Sequence, residues 1–197
     1  MRSQMGARMC HRDGVHQATW HRRGLRVVVV ACALGVAALS VWVTLRVSDA
    51  RVARQYRAWR LGALLLADLQ DARQRESSDC GPAALAYVLK RRGLAVSPDE
   101  VKNVVTVTFV GVSARQLVEG SALFGVRARA TRLPLDAVGS VNMPVLALVG
   151  SHWVVLERPH DDTHVEIFDP ALGGLLMPIA RMRPSWRGIA VTFDTPH

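Results

Sequence analysis

Cysteine is scarce in this chain, and its cysteines offer no disulfide framework. Three are present among 197 residues. Cys32 lies inside a long apolar run, Cys10 precedes that run and Cys80 follows it, so no two of them are placed to pair usefully. A lone thiol at Cys80 is therefore explained more easily by chemistry than by a structural crosslink.

Motifs that hold phosphate or metal ions are also missing. The sequence has no Gly-x-x-x-x-Gly-Lys-Ser/Thr phosphate loop, so we expect no ATP site in this chain and exclude an ATP-driven transporter. Near the N-terminus, the potential metal ligands match no zinc-binding spacing: Cys10, His11, His16 and His21. We therefore expect neither a metal nor a cofactor.

Acidic residues are almost absent from the first sixty positions. This segment holds eleven arginines and two acids, Asp13 and Asp49, whereas residues 61–197 hold equal numbers of basic and acidic residues. The net charge of +9 therefore belongs to the segment that surrounds one apolar run. Arginines in that position favour a membrane surface as the partner and argue against nucleic acid.

The apolar run extends from Val27 to Leu45 and contains no charged residue. About twenty such residues form a helix that spans a bilayer, and Trp42 stands near one end, where interfacial aromatic residues are found. The alternative is a cleaved signal peptide with Ser48-Asp49-Ala50 as its cleavage site, but the apolar core of such peptides is shorter, about 7–15 residues. We expect an uncleaved signal anchor.

These features divide the chain into four parts. We expect a basic, disordered tail at 1–26, a transmembrane helix at 27–45, a juxtamembrane linker at 46–60 and a folded domain at 61–197. Arginines stand close to both ends of the apolar run in nearly equal number, so the positive-inside rule does not decide the orientation.

Cys80 stands at the start of a strong helix pattern. Pro82 suits the first helical turn, good helix formers continue to Lys90, and Gly93 is placed to end the helix. The pattern predicts a helix of about three turns with the thiol at its positive end, where the pKa of a thiol falls. The alternative is an inert, buried cysteine.

Three further residues are candidates to work with this thiol. His152 lies between two apolar stretches, and a histidine held on a strand can meet a thiol presented by a helix. Asp169 ends an alternating strand pattern, where its side chain can point at a neighbouring strand. Gln74, six residues before Cys80, is a candidate oxyanion donor beside the Cys80 backbone N–H. Taken singly, they also fit a core histidine, a turn aspartate and a solvated loop residue.

The remaining pattern predicts an α+β fold. Capping boxes at 97–100 and 113–116 begin two more helices. Residues 126–131 alternate as a half-exposed strand does, and further strands are expected at 144–149, 152–158, 164–168 and 188–193, with 169–174 as a loop. Helices that precede an antiparallel sheet are typical of the α+β class.

The combined pattern resembles the papain-like bacteriocin-processing cysteine peptidases, found at the front of peptide-exporting ABC transporters and as stand-alone relatives. The matching pieces are Gln74 with Asp79-Cys80-Gly81, His152-Trp153-Val154-Val155-Leu156, and Asp169-Pro170-Ala171 with Gly173 after it. The resemblance implies a papain-like fold, with the nucleophile on a helical lobe. It also implies roles: Cys80 attacks the peptide carbonyl, His152 is the general base, Asp169 orients it, and Gln74 lines the oxyanion hole.

Two departures make the chain look like a stand-alone member. Transporter-linked members usually carry a second Cys soon after the first, where this chain has Ala83 and Ala84, and a transport domain is missing. The transporter-linked members cut after a double glycine in a leader peptide. The resemblance therefore implies a peptide or protein substrate and a separate peptide exporter as a potential partner. Stand-alone relatives are often exported, which implies a periplasmic or extracytoplasmic catalytic domain.

We therefore expect a membrane-anchored cysteine endopeptidase that cleaves a leader or another short peptide segment. Three alternatives stay open. The first is a degenerate papain-like domain that binds a leader without cutting it, which an activity-based thiol probe would distinguish. The second is a thiol acyltransferase or transpeptidase on the same fold. The third is a structural membrane protein, which would leave the ordered Gln, Cys, His and Asp residues unexplained.

Overall fold

The computed structural model describes residues 13–67 and 73–194, with the side chains of 13–27, 45–50 and 67 outside that description. The first part of the expected tail, residues 1–12, and the approach to Gln74, residues 68–72, therefore lie outside the described residues. The chain divides into two units, Met1–Val52 and Ala53–His197. The second unit begins slightly earlier than the folded domain expected at 61–197.

The first helix, α1 (Asp13–Arg60), runs through the segments expected as tail, apolar span and linker. Between residues 28 and 44 every side chain is exposed. Within the residues that the structure describes, no helix is both long enough and apolar enough to cross a membrane. The transmembrane prediction for 27–45, whose first and last side chains lie outside the description, is not confirmed.

Seven antiparallel strands form the sheet in the described part of the second unit. They are β1 (Leu64–Ala67), β2 (Ala128–Arg132), β3 (Val145–Val149), β4 (His152–Pro159), β5 (His164–Asp169), β6 (Gly173–Pro178) and β7 (Trp186–Phe193). Their spatial order is β1-β6-β5-β4-β3-β7-β2. The strands that carry His152 and Asp169 are therefore neighbours near the centre of the sheet.

Four shorter helices accompany the sheet in the described residues. They are α2 (Cys80–Arg91), α3 (Pro98–Val104), α4 (Ala114–Leu123) and α5 (Ile179–Met182), with 3₁₀ turns at Leu135–Ser140 and Arg183–Ser185. The predicted helix at Cys80 is confirmed, and Gly93 follows it with a φ of 86°. Both predicted capping boxes are present.

The sheet has a buried cluster of apolar side chains on each face because alternate residues of a strand point to opposite sides. On β4, Trp153 and Val155 join one cluster with the buried side of α2, while Val154 and Leu156 join the other. Helices of the first half thus cover one face of an antiparallel sheet formed mostly by the second half. This layout confirms the predicted α+β class.

One prediction about this sheet is wrong. The segment 169–174 was expected to be a loop, but the loop is shorter and β6 begins at Gly173. Paired glycines argue against a strand by propensity. Here the pairing of Gly174 with Phe168 places a residue without a side chain opposite a large aromatic ring, and Leu175 and Met177 are buried beyond it. Tertiary packing overrides the local preference.

Candidate active site

Three elements bring the candidate residues together. His152 begins β4 and Asp169 ends β5, so the antiparallel pairing of these strands places both residues at the same end of the sheet. Cys80 begins α2, which packs against β4. Tyr87 of α2 stacks on Phe168, the residue before Asp169, with 4.0 Å between ring centroids and 10° between planes. This stack fixes the helix against the strand that carries the carboxylate.

The Cys80 thiol is nearly covered, with 4% of the residue exposed. It hydrogen bonds with the His152 side chain and accepts hydrogen bonds from the backbone N–H groups of Trp153 and Gly81. Burial raises the pKa of the thiol, but these hydrogen bonds and the charge of His152 outweigh it and leave the pKa below its ordinary value of 9.0. The site therefore favours the thiolate, which is the nucleophilic form.

The His152 ring bridges the thiol and the carboxylate. Its Nε2 lies 3.0 Å from Oδ1 of Asp169, which leaves Nδ1 as the ring nitrogen that faces the thiol. Burial lowers the pKa of His152, yet its hydrogen bonds with Asp169 and Cys80 raise it to about 10. A protonated ring beside a thiolate is the ion pair expected of an activated cysteine. The His152 side chain is 31% exposed, so solvent reaches the Cys80–His152 pair from the side of the imidazole ring.

Asp169 is held in place by its own turn. Only 7% of the residue is exposed, and Oδ1 accepts hydrogen bonds from the backbone N–H groups of Ala171 at 2.7 Å and Leu172 at 3.2 Å. The carboxylate thus initiates a turn and contacts His152 at the same time. The sequence left two interpretations of Asp169 open, a turn residue and a partner of His152. In the structure the Asp169 carboxylate makes both kinds of contact.

Gln74 lies beside this group, although its side chain is turned elsewhere. Its backbone N–H donates to the carbonyl of Pro170 at 3.0 Å, next to Asp169. Its Nε2 donates to the carbonyl oxygen of Glu76 at 3.0 Å, and its buried Oε1 has no hydrogen-bond partner among the described residues. The structure thus brings Gln74 to the carboxylate side of the site, and its role as an oxyanion donor stays a prediction.

Sequence reasoning included Trp153 and Gly81 in the motifs but missed their contacts with Val112 beside the site. The indole Nε1 of Trp153 donates to the backbone carbonyl of Val112 at 2.9 Å, in the buried space beside α2. A Cβ on Gly81 would overlap the Val112 side chain and lie 3.3 Å from the Trp153 ring. The sequence signal that could have indicated these contacts is the position of Trp153 directly after His152 and of Gly81 directly after Cys80. The partner, Val112, lies too far away in sequence to be identified.

Metal binding has no support in the described part of the chain, where no group of three or more His, Cys, Asp or Glu residues is placed to hold an ion. The chemistry available here is that of a thiolate, an imidazolium and a carboxylate in hydrogen-bonded series. Nucleophilic attack with proton return is what such a series performs.

A thiol at a helix start and a histidine at a strand start, on a helical layer and an antiparallel sheet, define the fold class as that of the papain-like cysteine peptidases. The comparison with family models is more specific. The model of the Peptidase C39 family matches residues 69–197, and the chain belongs to this family. The expected relation to the double-glycine, bacteriocin-processing peptidases is thereby confirmed.

The chain is also similar to individual proteins and solved structures. An uncharacterised protein of Methanothermobacter thermautotrophicus is 31% identical over 102 residues, which are 51% of this chain and 70% of that protein. A double glycine motif protease from an AMS/PCAT transporter, solved in complex with the leader peptide, is 25% identical with a TM-score of 0.59 over 63% of this chain and 89% of that one. The peptidase domain of Streptococcus ComA, a bifunctional ABC transporter of a quorum-sensing pathway, shares the fold, with 23% identity, a TM-score of 0.58 and coverage of 63% and 96%.

Proposed function

We propose that this chain is a membrane-anchored cysteine endopeptidase that cleaves a leader or another short peptide segment through Cys80, His152 and Asp169. The observation that carries the proposal is the hydrogen-bonded series from the Cys80 thiol through the His152 ring to the Asp169 carboxylate, 3.0 Å from Nε2. Membership of the Peptidase C39 family supports the same reaction.

The reaction follows from the protonation states that the site favours. The Cys80 thiolate attacks the carbonyl carbon of the scissile peptide bond, and the carbonyl oxygen becomes an oxyanion. The His152 imidazolium then gives its proton to the leaving amine, the C–N bond breaks, and a thioester remains on Cys80. Neutral His152 next takes a proton from water, which attacks the thioester and releases the carboxylic acid and the thiolate. Asp169 keeps the ring in one orientation throughout.

The oxyanion needs hydrogen-bond donors that are in place before it forms. The backbone N–H of Cys80 is one, at the positive end of α2, and we assign the Gln74 amide as the second. Nε2 of Gln74 now donates to the carbonyl of Glu76, so this assignment requires the amide to exchange that partner for the substrate oxygen. The fixed backbone of Gln74, bonded to Pro170, keeps the amide close enough for that exchange.

The substrate class is inferred from relatives. A solved relative is described as a double glycine motif protease in complex with the leader peptide, and ComA is described as a bifunctional ABC transporter. By analogy, we assign this chain a peptide whose leader is removed, with a separate peptide exporter as its partner.

Membrane anchoring by residues 27–45 is supported by the charge-free sequence of that run and by the exposure of its described side chains at 28–44. We place the catalytic unit on the periplasmic or extracytoplasmic side. Extraction of the full chain from membranes with alkaline carbonate tests the anchor, and protease treatment of intact cells tests the side. Release into the carbonate supernatant would exclude an integral anchor.

Replacement of the nucleophile tests the peptidase activity directly. Turnover by the full chain is measured with a fluorogenic peptide that ends in Gly-Gly-aminomethylcoumarin. In a separate experiment, the cysteines of the full chain are labelled with iodoacetamide. We expect Cys80→Ala to abolish both turnover and labelling at this position. Cys32→Ser, at the exposed free cysteine, is the matched control and should retain full turnover. Turnover that survives Cys80→Ala would remove Cys80 from the mechanism, while labelling of Cys80 without any turnover would favour a domain that only binds peptides.

A further inference from the structure

Asp79, the residue before the proposed nucleophile, takes no part in the proposed mechanism, yet its surroundings are unusual. Asp79 is buried, with 6% of the residue exposed, and occupies the N-cap position of α2. Its side chain nevertheless makes no capping hydrogen bond to the helix. Its Oδ1 instead lies 2.8 Å from Nζ of Lys102 on α3, and its Oδ2 accepts the backbone N–H of Glu76 at 3.3 Å.

These contacts close a loop between the two proposed oxyanion donors. The carbonyl of Glu76 accepts hydrogen bonds from Nε2 of Gln74 at 3.0 Å and from the backbone N–H of Asp79 at 3.2 Å. Lys102 also reaches the Glu76 carboxylate at 3.2 Å. Gln74 and Asp79 are therefore the two ends of one hydrogen-bonded loop, Cys80 follows Asp79 directly in the chain, and Lys102 contacts the carboxylates of both Glu76 and Asp79.

A buried carboxylate is a costly way to begin a helix. It is desolvated, and it is tolerated because a cation and a backbone N–H compensate it. A serine cap would satisfy the helix start at lower cost, and α3 and α4 both use one. The contacts of Asp79 satisfy the preceding loop and tie it to α3, while leaving the start of α2 without a side-chain cap.

We propose that Asp79, through its pair with Lys102, is a positioning residue that sets the Gln74 amide relative to the Cys80 backbone N–H in the oxyanion hole. This inference rests on the proposed peptidase function. The inference predicts an effect on kcat but not on KM. Loss of an interaction that exists only in the transition state lowers kcat and leaves KM nearly unchanged. The thiolate itself is held by His152, Trp153 and Gly81, so its reactivity should not depend on this pair.

The test compares Lys102→Met with Lys102→Arg in the full chain. The side chain of Lys102 is 34% exposed, and methionine keeps its stem. The change nevertheless leaves the buried Asp79 carboxylate without its cation, so urea denaturation checks that each variant is folded, and a double variant that also removes the charge of Asp79 is measured beside it. With the fluorogenic Gly-Gly peptide, we expect Lys102→Met to lower kcat about 10- to 100-fold, at or below the effect of losing one oxyanion donor. KM and the rate of iodoacetamide alkylation of Cys80 should stay within about twofold. Lys102→Arg should recover most of kcat.

The matched control is Asp99→Asn. It also removes a charge at α3, from an exposed pair with Arg75 at 2.9 Å, and should leave kcat unchanged. The double variant Asp79→Asn/Lys102→Met should lose no more than the worse single variant, because both changes break one pair.

Three outcomes would overturn the inference. An unchanged kcat in Lys102→Met would remove the pair from catalysis. A parallel fall in alkylation rate would show that the pair supports the thiolate. A rise in KM alone would indicate substrate binding. If the unsubstituted chain alkylates at Cys80 but has no turnover, the peptidase proposal itself fails, and this inference fails with it.

Discussion

The helices α2, α3 and α4 begin in two different ways. The helices α3 and α4 each begin with a serine whose hydroxyl accepts the N3 backbone N–H, while the N3 side chain bonds back to the serine, as in Ser97 with Glu100. All partners lie within one turn. The helix α2 has no such cap, and the groups around its start come from β4, α3 and the segment at Val112.

The difference separates helix starts that are closed by local contacts from the helix start that carries the proposed nucleophile. A local capping box satisfies the backbone N–H groups of the N-cap and N3 residues with side chains of the same turn. At α2 the first N–H groups stay near a thiol, and one of them, that of Gly81, bonds to the sulfur. Of α2, α3 and α4, the helix without a side-chain cap is the one that carries the proposed nucleophile. Four predictions can break or sharpen this contrast, beginning with the largest expected effect.

Removal of the carboxylate behind the ring should have the largest effect. Asp169→Asn keeps the size of the side chain but loses the charge that orients the His152 ring and raises its pKa. We expect kcat/KM to fall by about 10²- to 10⁴-fold, as for a catalytic triad that loses its acid. Steady-state kinetics with the Gly-Gly peptide measures this. Asp136→Asn, an exposed residue in the Leu135–Ser140 turn, is the control, and a loss below threefold at Asp169 would argue against the triad.

The pH dependence of the reaction should follow the ion pair. The reactive state has Cys80 ionised and His152 protonated, so kcat/KM should rise with pH through a thiol pKa below 9.0 and fall again near a His152 pKa of about 10. Below the pKa of the Cys80 thiol, kcat/KM should fall tenfold for each unit by which the pH is lowered.

In Asp169→Asn, the main group that raises the pKa of His152 is lost. The alkaline limb should therefore move toward the ordinary histidine value of 6.5. Alkylation rates of Cys80 between pH 4 and 11 provide a second readout that does not depend on the peptide. An alkaline limb that stays in place in this variant would contradict the assigned cause.

A methyl group at the start of α2 should be poorly tolerated. In Gly81→Ala the new Cβ overlaps the Val112 side chain and approaches the Trp153 ring, so we expect a loss of about 1–3 kcal/mol in the free energy of unfolding. Urea denaturation followed by tryptophan fluorescence measures it. Gly139→Ala is the matched control, since its added Cβ meets no atom within 4 Å. Equal stability of the two variants would refute the close packing around the nucleophile.

A structural helix start should affect stability without affecting chemistry. Ser113→Ala removes the hydroxyl that caps α4, and we expect a loss of about 1 kcal/mol in the free energy of unfolding with unchanged kcat. Ser113→Asp retains a capping oxygen and should lose less. The same urea titration and peptide assay report both quantities. A fall in kcat in the folded Ser113→Ala protein would mean that the two kinds of helix start are not separate after all.

Local signals in the sequence determined more of this fold than of its site. The capping boxes at Ser97 and Ser113 and the glycine at Gly93 fix helix ends through contacts a few residues apart, and all were readable from spacing. Apolar stretches on both sides of His152 predicted β3 and β4, the alternating pattern at 164–168 predicted β5, and a strand was also expected at 188–193, within β7. The strand β6 was not readable, because its glycine at position 174 is explained by Phe168 across the sheet.

For the site, the sequence determined the types of groups and their order: Gln74, Cys80, His152 and Asp169. The tertiary structure decided their geometry, since the antiparallel pairing of β4 with β5 sets the 3.0 Å contact between His152 and Asp169. It also decided the partner of Asp79, because Lys102 lies on another helix. Short-range hydrogen bonds are encoded by neighbours in the chain, whereas desolvation and ion pairing depend on whatever the folded chain brings alongside.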